Sequence, residues 1–115
     1  MRRDIERLQD ILEAIERIEK YSKEGRSSFT KNDLIQTWML YHIQIIGEAA
    51  SKISEEMRQI HVDIPWNPIV AMRNVLVHDY FGIDLDEVWN TIQKDIPELK
   101  RHIEKILKNN NNFPD

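Results

Sequence analysis

The sequence predicts an all-α protein, an up-and-down bundle of four to five helices. Apolar residues recur at intervals of three and four along most of its 115 residues, which is the period of an amphipathic helix. Only three glycines and four prolines are present, too few for the turns of a many-stranded sheet. We therefore expect a single domain over residues 1–108, followed by a polar, frayed tail over residues 109–115.

The first two helices differ in how much of their surface is apolar. Residues 3–21 carry one apolar stripe, formed by Ile5, Leu8, Ile11, Leu12, Ile15 and Ile18. Thr30, with Asp33 three positions later, resembles a capping box and predicts the start of a second helix that ends near Ile53. Because apolar residues cover about half of this second helix, we expect it to be the central one.

The second half of the chain contains two further predicted helices. Residues 54–64 show no helical period, and a third helix is then expected from Pro65 to about His78. Asp84 is the predicted N-cap of a fourth helix. The apolar stripe of this fourth helix continues past Pro97. Since an interior proline removes a hydrogen bond and clashes with the preceding turn, we expect a kink or a break there.

Composition excludes several classes of site. There is no cysteine, which excludes disulfides, thiolate metal sites and cysteine nucleophiles. The four histidines lack the spacing of a zinc site, and no glycine-rich phosphate loop is present, so we expect neither a metal nor a cofactor. The formal charge of -4 gives no basic footprint for nucleic acid, so any RNA binding must be local.

The sequence also predicts the location of the protein. Its N-terminus alternates charged residues and does not lead into the apolar segment of a signal peptide. No run of residues approaches the ~18 apolar positions that a membrane span needs. We therefore expect a cytoplasmic protein with no membrane segment.

Four chemically versatile side chains lie close together at the end of the predicted third helix: Arg73, Asn74, His78 and Tyr80. On a helical wheel Asn74 and His78 share one polar stripe, since they are four residues apart. Arg73 lies roughly 140° from His78, on an otherwise aliphatic side. Because burial of an unpaired guanidinium is costly, Arg73 must reach an acid such as Glu48, a subunit interface or a bound anion.

Taken singly, each of these residues also has a structural explanation. Arg73 could pair with an acid across the bundle, and His78 could favour the helix end through its charge. Asn74 could be a solvated surface residue, and Tyr80 an aromatic residue at the rim. Only their combination points to chemistry. His42, on the apolar face of the second helix, is expected to be a core residue with its polar atoms satisfied.

The pattern Arg73-x4-His78-x-Tyr80 resembles the signature of HEPN-domain proteins, in particular the HepT-like toxins of bacterial and archaeal toxin–antitoxin pairs. Three further segments resemble the same family: Ile46-Gly47-Glu48-Ala49, Ile64-Pro65-Trp66 and Asp84-Leu85-Asp86-x-Val88-Trp89. The resemblance covers most of the chain and is therefore more specific than an Arg-x4-His pattern alone.

The resemblance implies a HEPN-like bundle that acts as a metal-independent endoribonuclease on RNA, as a homodimer whose two motif segments meet in a cleft. Arg73 would bind the phosphate, His78 would transfer a proton, and Asn74 would orient the phosphate or the imidazole. Glu48 and Asp79 would be supporting residues, with Asp79 capping the helix end or orienting the histidine. The resemblance implies no cofactor and no metal.

Tyr80 resembles the tyrosine to which, in this family, a partner nucleotidyltransferase antitoxin attaches AMP. The added bulk and negative charge beside Arg73 would block RNA. A rival interpretation is a non-catalytic helical interaction module that binds a nucleotidyltransferase or a nucleotide. Arg73 and His78 favour the enzyme, whereas the net charge of -4 favours the module.

Overall fold

The fold is all-α, as the sequence predicts. The computed structural model describes residues 2–74 and 84–111, and within these two ranges it contains helices and no strand. The α-helices are α1 Arg2–Ser22, α2 Arg26–Lys31, α3 Asp33–Ser51, α4 Glu55–Ile60, α5 Trp66–Ala71, α6 Leu85–Asn90 and α7 Ile96–Asn111. A 3₁₀ turn, Met72–Asn74, follows α5, and a π-helical segment, Thr91–Asp95, joins α6 to α7. Within the described ranges, every helix is too short or too polar to cross a bilayer.

Helix α3 is the centre of the bundle, as its broad apolar surface predicts. It packs against α1, α2, α5 and the 3₁₀ turn, while α1 also contacts α7. The buried core includes Leu8, Ile11, Ile15 and Ile18 of α1, Met39, Ile43 and Ile46 of α3, and Leu99, Ile103 and Ile106 of α7. Because burying a side chain of this size contributes about 1.5–3 kcal/mol, these three long helices supply most of the stabilisation.

The prediction that Thr30 caps the central helix is wrong. Thr30 lies inside the short helix α2, and Asn32 is the N-cap of α3. The Asn32 side-chain oxygen accepts hydrogen bonds from the backbone N–H groups of Leu34 (2.9 Å) and Ile35 (3.3 Å). Since asparagine caps a helix at least as well as threonine, two suitable caps within three residues left the boundary ambiguous in the sequence.

Residues 54–64, for which no helical period was found, contain the short helix α4. Ser54 is its N-cap, and the Ser54 Oγ atom accepts a hydrogen bond from the backbone N–H of Met57 (3.1 Å). Met57 is the buried residue of this helix. Because α4 has fewer than two turns and a single core residue, it shows no recognisable period in the sequence.

Pro97 interrupts regular α-helix, as predicted. In the π-helical segment before it, the backbone N–H of Ile96 donates to the carbonyl of Thr91, five residues earlier. Pro97 then falls in the first turn of α7, where the missing backbone N–H is tolerated. The apolar stripe is maintained across the irregular segment, with Ile92 and Leu99 buried.

The third predicted helix is shorter than expected within the described residues. Helix α5 ends at Ala71, and the chain continues as a 3₁₀ turn to Asn74. The predicted continuation to His78 lies outside the described residues. A 3₁₀ turn advances about 120° per residue instead of about 100°, so side chains beyond Ala71 point in directions that an α-helical wheel does not give.

Two further predicted boundaries can be compared with the structure. Asp84 caps α6 as predicted, because its carboxylate accepts hydrogen bonds from the backbone N–H groups of Asp86 (3.0 Å) and Glu87 (3.1 Å). Helix α7 runs to Asn111, so the predicted tail from Asn109 lies partly in this helix and partly beyond the described residues.

Two polar contacts attach α1 to helices that are distant in sequence. Asp4 is only 5% exposed, and its carboxylate accepts hydrogen bonds from the backbone N–H (2.9 Å) and the Oγ hydroxyl (2.7 Å) of Ser54. Lys100 of α7 donates to Glu19 of α1 (2.8 Å), and this hydrogen bond raises the pKa of Lys100. The Asp4 contact is the more buried one, so we expect it to contribute more to stability.

Asp4→Ala should lower the free energy of unfolding by about 2–3 kcal/mol, because it removes two hydrogen bonds to a charged, buried acceptor. Equilibrium unfolding in urea measures this change. Glu6→Ala, which removes an exposed carboxylate from the same helix, is the control and should change the stability by less than about 0.5 kcal/mol. Equal losses in the two variants would contradict the role given to Asp4.

Candidate active site

The structure places Arg73 directly against the central helix. Arg73 lies in the 3₁₀ turn, which packs on α3. Its backbone faces Gly47: a Cβ atom built on Gly47 would lie 2.4 Å from the Arg73 backbone nitrogen and 3.0 Å from its Cα atom. Only a residue without a side chain permits this approach. Part of the segment Ile46-Gly47-Glu48-Ala49 is therefore a surface on which the Arg73 backbone rests.

The Arg73 guanidinium remains in contact with solvent. Its Nη1 atom lies 3.9 Å from Oε2 of Glu48, and the two side chains are 43% and 55% exposed. The predicted acidic partner is thus present, but the burial suggested by the helical wheel is wrong, because the 3₁₀ turn changes the direction of the side chain. Ion pairs this exposed contribute about 0–1 kcal/mol. An incoming anion would therefore displace Glu48 at little cost.

The other predicted site residues are only partly covered by the structure. Asn74 is exposed and follows Arg73 at the end of the first described range. His78, Asp79 and Tyr80 lie outside the described residues, so their roles stay predictions. The described residues bring together the cation, its acidic partner and the glycine behind them.

His42 has the core role that the sequence predicts. It is 3% exposed, and its Nδ1 atom lies 2.8 Å from the carbonyl oxygen of Trp38. Because a carbonyl oxygen only accepts, Nδ1 carries the proton in this contact. The ring also packs against Trp38 and Tyr41, with centroid distances of 4.5 and 5.2 Å. Across the described ranges, no three potential metal ligands of the His, Cys, Asp or Glu type form a cluster.

A groove between α1 and α3 leads towards Glu48. It consists of two adjoining depressions of about 410 and 710 Å³, which share Arg17, Tyr41 and His42. We call this surface the α1–α3 face. It is lined from α3 by Leu34, Trp38, Tyr41, Ile45 and Glu48, and from α1 by Arg7, Asp10, Glu13 and Arg17.

The α1–α3 face exposes apolar side chains of α3. The sequence pattern predicted that this helix is covered on several sides. Leu34 is 81% exposed and Tyr41 is 56% exposed. Trp38 is partly buried, and its Nε1 atom donates to the carbonyl oxygen of Arg17 (2.7 Å). With Ile45, these residues recur at steps of four, three and four, the spacing of a seam between two helices. The spacing is visible in the sequence, but it does not reveal which side of a largely apolar helix stays uncovered.

Charges on the α1 side of this face are paired within the helix. Arg7 donates to Asp10 (3.4 Å), and Arg17 donates to Glu13 (2.8 Å). A groove that holds an RNA strand is expected to carry an excess of positive charge along the backbone path. The α1–α3 face is therefore better suited to a protein helix than to a nucleic acid.

Comparison with known proteins identifies the family. A family model described as "Ribonuclease HepT-like" matches residues 11–106. "Gamma-glutamylcyclotransferase and putative RNase MJ0434" of Methanocaldococcus jannaschii is 41% identical over 118 residues, which cover 97% of this chain and 53% of that protein. "Probable ribonuclease HepT" of Thermococcus cleftensis is 39% identical over 102 residues, covering 88% of this chain and 93% of that protein. "Putative RNase TTE0752" of Caldanaerobacter subterraneus subsp. tengcongensis is 37% identical and covers 88% of each chain.

The chain spans about half the length of the first of these relatives and most of the other two. No solved structure matches it. The family match runs from α1 to α7 and includes both Arg73 and the part of α3 on which it rests. The chain therefore belongs to the HepT-like ribonuclease family.

Proposed function

We propose that this protein is the toxin of a toxin–antitoxin pair, a metal-independent endoribonuclease that acts as a homodimer and is silenced when AMP is attached to Tyr80. Membership of a ribonuclease family supports RNA as the substrate. The main support for the proposal comes from Arg73. Its backbone packs on α3, while its guanidinium is exposed and only weakly paired with Glu48. Such a group is held in position yet free to exchange a carboxylate for a phosphate.

The proposed reaction is a transfer within the RNA strand. The 2′-hydroxyl oxygen forms a bond to the neighbouring phosphorus while the bond from phosphorus to the 5′ oxygen breaks, leaving a 2′,3′-cyclic phosphate and a 5′-hydroxyl. One proton leaves the 2′-hydroxyl and one reaches the departing oxygen, so this step consumes no water. His78 is the proposed proton-transfer group, because imidazole titrates near neutral pH, and such transfer contributes typically ~10²–10⁴-fold.

Arg73 is the proposed phosphate-binding group. Its planar array of donors fits two phosphate oxygens and stabilises the charge that builds up on them during attack. Glu48 would hold the guanidinium until RNA displaces it. Asn74, exposed beside Arg73, would orient the phosphate or the imidazole, and Asp79 would cap the helix end or orient His78.

A second copy of the chain is the proposed occupant of the α1–α3 face. The exposure of Leu34 and Tyr41 supports an apolar contact, and the seam spacing supports a helix as the contacting element. In a two-fold dimer this face meets itself, so the charges of both signs on α1 can face opposite charges on the other protomer. Glu48 both borders the groove and contacts Arg73, so a copy seated here would reach the site.

Modification of Tyr80 is the proposed control. The partner nucleotidyltransferase would join the tyrosine oxygen to the α-phosphorus of ATP and release pyrophosphate. The AMP adds a phosphodiester charge and a bulky nucleoside close to Arg73 in sequence. It would thus block RNA both by repulsion and by occupying the phosphate position.

Purified protein should cleave RNA in the presence of EDTA. Arg73→Ala and His78→Ala should each lower the cleavage rate at least about 100-fold, with unchanged circular dichroism and unchanged dimer mass. Lys94→Ala removes an exposed cation outside the proposed site and should leave the rate unchanged. Cleavage that EDTA abolishes, or full activity in both site variants, would contradict the mechanism.

Leu34→Glu and Tyr41→Glu should each convert the dimer into a monomer, because the new charge would be buried in the contact between the two protomers. Analytical ultracentrifugation measures the mass. Gln9→Glu adds the same charge at an exposed position of α1 and should remain dimeric. A dimer that persists in both α3 variants would rule out this face.

The same dimer allows a test of whether one site uses residues of both protomers. Mixing inactive Arg73→Ala and His78→Ala proteins creates mixed dimers in which one of two shared sites has both groups intact. Random exchange should then restore about a quarter of the wild-type activity. No recovery after proven exchange would rule out two shared sites that each use Arg73 of one protomer and His78 of the other.

Incubation with the partner nucleotidyltransferase and ATP should add the mass of one or more AMP units and abolish RNA cleavage, because the added charge, close to Arg73 in sequence, would repel the RNA phosphates. Tyr80→Phe should prevent the mass gain. Tyr21→Phe, which changes a half-buried tyrosine near the end of α1, should leave it intact. Modification that survives in Tyr80→Phe would remove Tyr80 from the proposal.

A further inference from the structure

We propose that Gly47 is a positioning residue for Arg73: the bare backbone of α3 at Gly47 determines where the phosphate-binding guanidinium stands. The catalytic meaning of this inference rests on the proposed ribonuclease function. Its central claim concerns the binding of an RNA phosphate by Arg73 and can be tested without any cleavage.

The distances show that Gly47 and Arg73 constrain each other. A Cβ atom at Gly47 would lie 2.4 Å from the Arg73 backbone nitrogen and 3.0 Å from both its Cα and Cβ atoms. None of these atoms is the far end of a flexible side chain, so rotamer changes cannot relieve the contact. Ordinary contact begins at 3.4 Å, so the Arg73 backbone would have to retreat by about 1 Å (3.4 minus 2.4).

The conformation of α3 gives no separate reason for a glycine. Gly47 lies inside an α-helix, and among the described residues a positive φ occurs only at Gly25. Alanine is intrinsically favoured over glycine within a helix, because glycine loses more backbone entropy on folding. Helix propensity alone therefore predicts that Gly47→Ala stabilises the protein. The contact with Arg73 predicts that the same change disturbs the 3₁₀ turn.

Two consecutive residues of α3 act on Arg73 in different ways. Gly47 limits the position of its backbone, and Glu48 contacts its guanidinium at 3.9 Å. Gly47 is buried within the central helix, so it provides a rigid reference for an otherwise exposed side chain. A misplacement of about 1 Å can cost on the order of 10²-fold in rate, so the retreat forced by a methyl group is functionally large.

The test is a double-mutant cycle in RNA binding. The probe is a fluorescent 2′-O-methyl RNA oligonucleotide, which lacks the attacking hydroxyl and cannot be cleaved, and the dissociation constant is measured by anisotropy. Gly47→Ala and Arg73→Ala should each weaken binding about tenfold, and the double variant should bind no more weakly than Arg73→Ala alone. Such coupling means that Gly47 acts through Arg73.

Ser51→Ala is the matched control on the same helix. It also introduces alanine, one turn further along α3, where the Ser51 hydroxyl donates only within the helix to the Glu48 carbonyl (2.6 Å). It should bind the oligonucleotide as wild type does. With cleavable RNA, Gly47→Ala should lower kcat about 100-fold while circular dichroism and dimer mass stay unchanged.

Several outcomes would overturn the inference. Gly47→Ala could bind and cleave like wild type and be more stable, as helix propensity alone predicts. The double variant could show the sum of the two single losses, which would make the effects independent. An unfolded Gly47→Ala protein would also contradict the inference, because the proposal confines the disturbance to residues 72–74.

The design separates this inference from the proposed function. If wild type cleaves no RNA but Gly47 and Arg73 are coupled in binding, the ribonuclease function fails and the positioning role stands. If wild type cleaves RNA but does not bind the oligonucleotide, the positioning role fails and the ribonuclease function stands.

Discussion

The contact between the 3₁₀ turn and α3 is the constraint on which the candidate site depends. The backbone of Arg73 rests on Gly47, and α3 is itself packed against α1, α2 and α5. Because a close-packed interior resists displacement, α3 is held in place by its neighbours and restricts the movement of the 3₁₀ turn that packs on it. The same contact leaves the guanidinium in solvent, where a substrate can reach it. The contact between Gly47 and the Arg73 backbone therefore limits the position of the guanidinium and also leaves it accessible to solvent.

The electrostatics of the protein limit how the proposed RNA substrate could be bound. The formal charge of -4 does not attract RNA over long distances, and two of the cations on the α1–α3 face are paired with acids of their own helix. In the proposed function, a phosphate is therefore captured by a few well-placed donors. The weak, exposed pair between Arg73 and Glu48 suits that task, because a tighter pair would have to be broken before RNA could bind.

The apolar periodicity of α3 predicts its central place in the fold, but it does not predict that the α1–α3 face stays exposed. Leu34, Trp38 and Tyr41 belong to the apolar pattern that identifies α3 as the central helix, and α3 does lie at the centre of the described fold. Yet Leu34 and Tyr41 stay exposed. Periodicity reports that a helix has apolar sides, whereas the arrangement of its neighbours decides which side remains free for another chain.

Periodicity and local backbone chemistry were enough to predict the all-α class, the central helix, the Asp84 cap and the irregularity at Pro97. The sequence also indicated the family and offered Glu48 as one possible partner of Arg73, a contact that the structure contains. The N-cap of α3 was predicted wrongly because both Thr30 and Asn32 are suitable N-cap residues. Helix α4 was not predicted because it is too short to show a helical period. Two features are visible only in the folded chain: Arg73 is exposed on a 3₁₀ turn, and the backbone of this turn lies against Gly47. Those two facts depend on the approach of segments 26 residues apart, and no local pattern records that distance.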